Sequence, residues 1–194
     1  SMMAPEWIVL AAAVVLLLID LAMPEERSRR PLAWGAAAGA MLALIATAVM
    51  IPADPVSILH DTFRLDGFAK AFKLILLAGG ALALLLVAEW EPKEGSRYRG
   101  EFAYMMLFAL LGAMMTASSG DLLTLFVSIE LLTVSSYILA GLRKTATSSN
   151  EAALKYVING GIATAIMLFG MSYVFGLTGT TNLGDIARQL QETN

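Results

Sequence analysis

Six apolar runs, each long enough to cross a bilayer as a helix, bound what this chain can become. They cover residues 5–22, 32–51, 67–88, 102–118, 121–142 and 152–177. A hydrocarbon core of about 30 Å takes about 20 helical residues. Backbone N–H and C=O groups find no water there, so a spanning segment must bond its own backbone as a helix or join a closed barrel. The runs lack the alternation, over about ten residues, that a barrel strand needs. The predicted fold class is therefore all-α: a polytopic transmembrane helix bundle of about six helices. The balance of residues agrees. Of 194 residues, 58% are hydrophobic and 15% charged, where soluble domains carry about 25% charged residues.

Polar breakers separate the runs: "PEERSRRP", "PADPVSILHDTFRLDG", "EPKEGSRYRGE", "SSGD" and "RKTATSSNE". The first run is not read as a cleaved signal peptide, because Glu6 rather than a basic segment precedes it and no small-residue cleavage site comes before Pro24. Orientation follows the basic residues. Arg27, Arg29, Arg30, Lys93, Arg97, Arg99, Arg143 and Lys144 share the loops of one side, against Arg64 and the tail's Arg188 on the other. Cytoplasmic loops carry the excess of Lys and Arg, so both termini are expected outside. Three stretches follow: residues 1–119 with the first four helices, 120–178 with the fifth and sixth, and an extracytoplasmic tail, 179–194, that reads as a short amphipathic surface helix. The sixth run exceeds the hydrocarbon thickness and should tilt or project into water.

No cysteine is present, which removes disulfides, thiolate metal sites and iron–sulfur ligation from this chain, and a single histidine, His60, cannot form a histidine cluster. No metal, cofactor or nucleic-acid partner is expected; the lipid bilayer is. Asp20 and Glu89 read as end-of-helix charges that reach the interface. Lys70 and Lys73 read as basic anchors at the outer mouth of the third span. His60 reads as a solvated or turn-packing residue.

Glu130 does not fit that pattern. It lies nine residues from one end of its run and twelve from the other, roughly 13 Å deep at 1.5 Å per residue, beyond the reach of a glutamate to water. An ionised group there costs about 2.5–3.5 kcal/mol on insertion scales. Thr133 and Tyr137 share its helix face, with Leu125, Leu132 and Leu139 opposite. A hydrogen bond pinning two helices would account for such a group; a protonatable relay is the default reading for an intramembrane carboxylate. On the sixth run Glu151, Lys155 and Asn159 recur every four residues and form a second polar stripe. A capping box from Ser148 to Glu151 is expected to open that helix. Lys155 is read either as buried in the same pathway as Glu130 or as the partner of Glu151 at the helix start. Gly160 and Gly161 permit close helix contact just beyond.

These residues carry a resemblance. The patterns E-L-x-x-x-S-S-Y-x-L-x-G from Glu130, S-N-E-A-x-x-K-Y from Ser149 and G-x-T-G-T from Gly176 resemble the antiporter-like subunit N of bacterial complex I, the proton-translocating NADH:quinone oxidoreductase, over residues 120–185. The resemblance implies that Glu130 and Lys155 belong to a proton pathway, with Thr133, Tyr137, Glu151 and Asn159 as supporting polar groups. It implies no redox cofactor on this chain, other membrane-arm subunits as partners, a quinone used by the complex but without a site here, and the bacterial cytoplasmic membrane as location. Such subunits have about fourteen helices in two inverted repeats of about five. Six helices would be the first part of that inverted-repeat fold, an N-terminal portion that does not complete a proton channel alone. Two other function classes share these features: a subunit of a multisubunit sodium/proton antiporter, and a structural membrane scaffold.

Overall fold

A computed structural model describes residues 3–24, 27–50, 55–59, 61–89 and 97–192. His60 and Lys93 lie outside the described residues. Six long helices run α1 Ala4–Ala22, α2 Arg30–Met50, α3 Gly67–Glu89, α4 Arg97–Ala117, α5 Leu122–Ala140 and α6 Thr147–Thr178, followed by a short α7, Leu183–Glu192. All six long helices are long and apolar enough to cross a membrane. At 1.5 Å per residue, the 32 residues of α6 extend for about 48 Å, well beyond a hydrocarbon core.

Helices α1 to α4 form a bundle whose core is aliphatic and small: Val9, Ala13, Leu16, Ala33, Ala36, Ala40, Leu77, Ala81, Leu84, Leu107 and Met114. Lipid tails are as apolar as leucine, so helices in a membrane associate through close packing rather than water exclusion, and small residues permit it. Gly39 shows the limit, since a Cβ there would lie 2.7 Å from the Ala12 Cβ. Helix α5 is laid against α4 at Gly112, where a Cβ would come within 2.6 Å of the Leu132 backbone N and 2.8 Å of the Ser128 carbonyl. Helix α6 packs on α5 and extends from the bundle; among its described residues Ser149 alone is buried.

The loop before α3 is more ordered than a breaker. Val56–Ile58 (β1) pairs antiparallel with Phe63–Leu65 (β2), with Val56 opposite Leu65. The turn takes positive φ at two non-glycine residues, Leu59 and Asp61. Phe63 and Leu65 are buried while Arg64 between them is exposed. The hairpin is tied to the α4–α5 turn: Arg64 N–H donates to the Ser118 carbonyl at 2.8 Å, and Gly120 N–H to that of Thr62 at 2.8 Å. The α6–α7 junction joins the same layer, as Leu122 N–H donates to the Thr181 carbonyl and Leu183 N–H to that of Gly120.

At the opposite end Glu89 is exposed as an end-of-helix charge, whereas Asp20 is covered. Arg29 Nε donates to Asp20 Oδ1 at 3.0 Å with both side chains nearly covered, and Arg30 meets Glu89 at 2.9 Å in the open. The short turn from α1 to α2 brings Arg29 back under Asp20. The helix-start expectation for α6 also fails. Its N-cap is Ala146, with no side-chain cap. Ser149 Oγ donates instead to the Ala140 carbonyl at 2.8 Å, and Asn150 Nδ2 to that of Lys144 at 3.0 Å. The serine secures the end of α5 and the asparagine the loop after it, rather than capping α6.

Candidate functional site: the α5–α6 groove around Glu130

The phase of α5 is set at its first residue. Asp121 Oδ1 accepts from the N–H groups of Leu123 and Thr124, and its Oδ2 accepts from Thr181 Oγ1 at 2.5 Å. One carboxylate thereby caps the helix and fixes it to the α6–α7 junction. From that start Ser128 and Leu132 meet Gly112 of α4, and Glu130 falls on the side of α6.

Glu130 is half-buried, and its Oε1 accepts a hydrogen bond from Thr164 Oγ1 of α6 at 2.8 Å. Thr133 and Tyr137 lie along the same face. Thr133 Oγ1 donates back to the Glu130 carbonyl at 3.2 Å, and the Tyr137 hydroxyl occupies the space over Gly160, where a Cβ would overlap it. Tyr137 also meets Tyr156 edge-on, with ring centroids 4.8 Å apart. Leu132, on the side opposite Glu130, meets α4. The exposed side of α5 is a third one, with Leu123, Val127, Val134 and Ile138. Glu130 therefore sits where the α6 contact borders that open side.

Lys155 is not buried beside Glu130. Its side chain is 71% exposed and bonds Glu151 at 2.5 Å, four residues earlier on the same helix. Asn159 is exposed as well. The cause is the rotation of α6. Ala153, Gly160 and Thr164 face α5. At about 100° per residue the Glu151–Lys155–Asn159 stripe points to the far side of the helix. Sequence spacing placed the three on one face but could not say which neighbour that face would meet. Thr164, the group that does reach Glu130, was missed; its signal was a lone polar residue four positions after Gly160 on the small-residue face.

A second buried pair was also missed. Lys73, read as an interfacial anchor, is 0% exposed, and its Nζ donates to Glu6 Oε1 at 2.5 Å. Glu6 Oε2 is buried with no hydrogen-bond partner among the described residues. Lys73 continues the packed face of α3 through Ala69, Leu77 and Ala81, and Glu6 continues that of α1 through Val9 and Ala13. That phase, rather than the proximity of a helix end, was the signal to read.

A polytopic helical membrane protein with a carboxylate set at mid-depth between two helices is the class defined by this fold and groove. Residues 119–194 match a family described as NADH:quinone oxidoreductase/Mrp antiporter, transmembrane. Over all 194 residues the chain is 86% identical to NADH-quinone oxidoreductase subunit N of Geobacillus kaustophilus, covering 39% of that protein. It is 49% identical to the subunit N of Bacillus anthracis, with 96% of this chain and 37% of the relative covered. Among solved structures, respiratory complex I from Thermus thermophilus with bound aureothin contains a similar chain, with TM-score 0.76, 28% identity and coverage of 93% of this chain and 38% of that one. A chain of the Mrp complex from Dietzia shares the fold at TM-score 0.77 and 20% identity, over 95% of this chain and 20% of that one. The chain is thus similar to the N-terminal part of the antiporter-like membrane subunits, and most of all to those of the subunit N kind, as the patterns from Glu130 onward implied. It spans about 39% of the length of the curated relatives it matches.

Proposed function

We propose that this chain is the N-terminal portion of a proton-translocating membrane-arm subunit of an NADH:quinone oxidoreductase, seated in the bacterial cytoplasmic membrane with both termini extracytoplasmic. It works with the other membrane-arm subunits, performs no redox chemistry itself and holds no quinone site. The observation that carries this reading is Glu130: a carboxylate at mid-depth, bonded through one oxygen to Thr164 across the α5–α6 groove, and bordering the open side of α5. A carboxylate in such a place can take up a proton from one side and release it to another. Thr164 holds its orientation, while Thr133 and Tyr137 extend the polar line along α5. Lys155, with Glu151 and Asn159, belongs to the pathway through the far face of α6, which this chain leaves uncovered; there Lys155 exchanges its bond to Glu151 for partners in the remainder of the subunit.

The Thr164 bond also favours a second reading, in which Glu130 is a helix pin. One substitution separates the two. In the full-length subunit within its complex, Glu130→Gln still accepts from Thr164 but cannot carry a proton, and Glu130→Asp keeps the acid with a shorter reach. A relay predicts intact assembly on a native gel, a severe loss of proton pumping with Gln and partial pumping with Asp. Normal pumping by an assembled Glu130→Gln complex refutes the relay and leaves the pin.

A further inference from the structure

Between α4, α5 and α6, at the end of the bundle that carries Lys144, lies a cavity of about 400 Å³. It is lined by Glu101 and Tyr104 of α4, Tyr137 of α5, Gly141, Lys144 and Ala153. We propose that this cavity is a water-filled vestibule through which protons reach Glu130 from the cytoplasmic side, with Glu101 as the group that gathers them. The proposal rests on the relay reading of Glu130 and adds residues outside the Glu130 and Lys155 stripes.

Three features point this way. A water in the liquid occupies about 30 Å³, so the cavity has room for several, and water stays in a cavity when polar groups bond it. Those groups are present, set among the apolar Met105, Ile138, Leu142 and Val157: a carboxylate, an ammonium and two phenols share the lining. The carboxylate is held back from bulk solvent, as the Glu101 side chain is 14% exposed while its partner Lys144, 3.2 Å away, is 69% exposed. Lys144 thus stands outside and Glu101 inside. Gly141 and Ala153 close one edge of the cavity, since a Cβ on Gly141 would lie 2.9 Å from the alanine's own.

Tyr137 joins the cavity to the relay. It lines the cavity and lies seven residues after Glu130 on the Glu130 face of α5, about 10 Å along the axis. A file of about three waters at hydrogen-bond spacing covers that distance, passing Thr133. A proton taken up by the Glu101 carboxylate is handed to the first water, each water passes on one of its own, and Glu130 receives the last; no bond between heavy atoms changes. Glu101 and Lys144 are the charged groups lining the cavity. Arg143 is next to Lys144 in the loop, and Glu151 and Lys155 bond each other on the far side of α6.

Two measurements on the whole complex in inverted membrane vesicles, cytoplasmic side out, test the vestibule. The first is reaction of introduced thiols with a small charged thiosulfonate, which needs water. Ala153→Cys, or Met105→Cys if the former does not assemble, should react many-fold faster than Leu82→Cys, placed on the exposed apolar side of α3. The second is the pH profile of pumping. Glu101→Gln should lower the pumping rate near neutral pH and regain it as the cytoplasmic-side pH falls, whereas Glu130→Gln should not regain it. Unreactive cavity thiols, or a Glu101→Gln profile superimposed on that of the parent complex, overturn the vestibule. Thiol reactivity does not depend on Glu130. An unreactive cavity beside a pumping-defective Glu130→Gln therefore refutes the vestibule alone, and a reactive cavity beside a silent Glu130→Gln refutes the relay alone.

Discussion

Thr164 and Lys73 show how little a residue's type says until its neighbour is known. Thr164 is the partner of Glu130 through one hydrogen bond of 2.8 Å. A bond from a neutral donor to a charged acceptor contributes about 1.5–3 kcal/mol. Thr164→Val keeps the shape and removes the donor, so it should slow pumping several-fold in an assembled complex, while Thr164→Ser should retain most of it; rates in proteoliposomes check the pair. Lys73 illustrates the other extreme, a cation sealed inside the bundle against Glu6. Removing one member of a buried ion pair leaves an uncompensated charge and costs about 3–5 kcal/mol, whereas replacing both with apolar groups is often neutral. Lys73→Met should therefore lower the thermal midpoint of the solubilised complex sharply, and adding Glu6→Leu should recover most of the loss. A double variant no better than the single would show that the pair stabilises beyond its own charge balance.

At the scale of the elements, the contact between α4 and α5 depends on one absent side chain. Gly112 lies against backbone atoms of Leu132 and Ser128, which cannot rotate away as a side chain would. Overfilling a packed site commonly costs about 1–3 kcal/mol. Gly112→Leu should exceed that range and shift α5 from α4, seen as lost assembly on a native gel; Gly112→Ala should be milder. The capping of α5 is separable from its packing. Asp121→Ala removes the cap, worth about 1 kcal/mol, and the link to Thr181 with it, whereas Asp121→Asn keeps the acceptor for the helix N–H groups and meets Thr181 only by donating its amide N–H to a reoriented hydroxyl. The stability order Asp121, then Asn, then Ala, read by thermal denaturation, checks the dual role.

The whole molecule has two unlike ends. One is a layer of backbone hydrogen bonds among the β1–β2 hairpin, the α4–α5 turn and the α6–α7 junction. The other carries the ion pairs Arg29–Asp20, Arg30–Glu89 and Lys144–Glu101. The basic-residue rule assigns the second end to the cytoplasm. Single cysteines at Ser28 and Ser119 are the natural reporters, since the chain has no cysteine of its own. In intact cells an impermeant thiol reagent should label Ser119→Cys and spare Ser28→Cys; the reverse pattern would invert the molecule.

What the sequence determined by itself was the solvent and the count of crossings. The run length of apolar residues reports directly on a slab of about 30 Å, which is why all six spans were found and why the sixth stood out as longer than the slab is thick. It also marked Glu130 as a mid-depth carboxylate and placed Thr133 and Tyr137 on its face, because a helix's own period needs no neighbours to be read. The hairpin escaped notice because its turn uses Leu59 and Asp61 at positive φ rather than the glycines that ordinarily announce such a turn. What only the tertiary structure decided was the rotation of each helix about its axis. Rotation depends on which residues of two helices fit together: Ala153, Gly160 and Thr164 brought to α5 turn Lys155 outward, and the packed face of α3 turns Lys73 inward. Periodicity groups residues into faces, but the packing of one surface against another selects what each face meets.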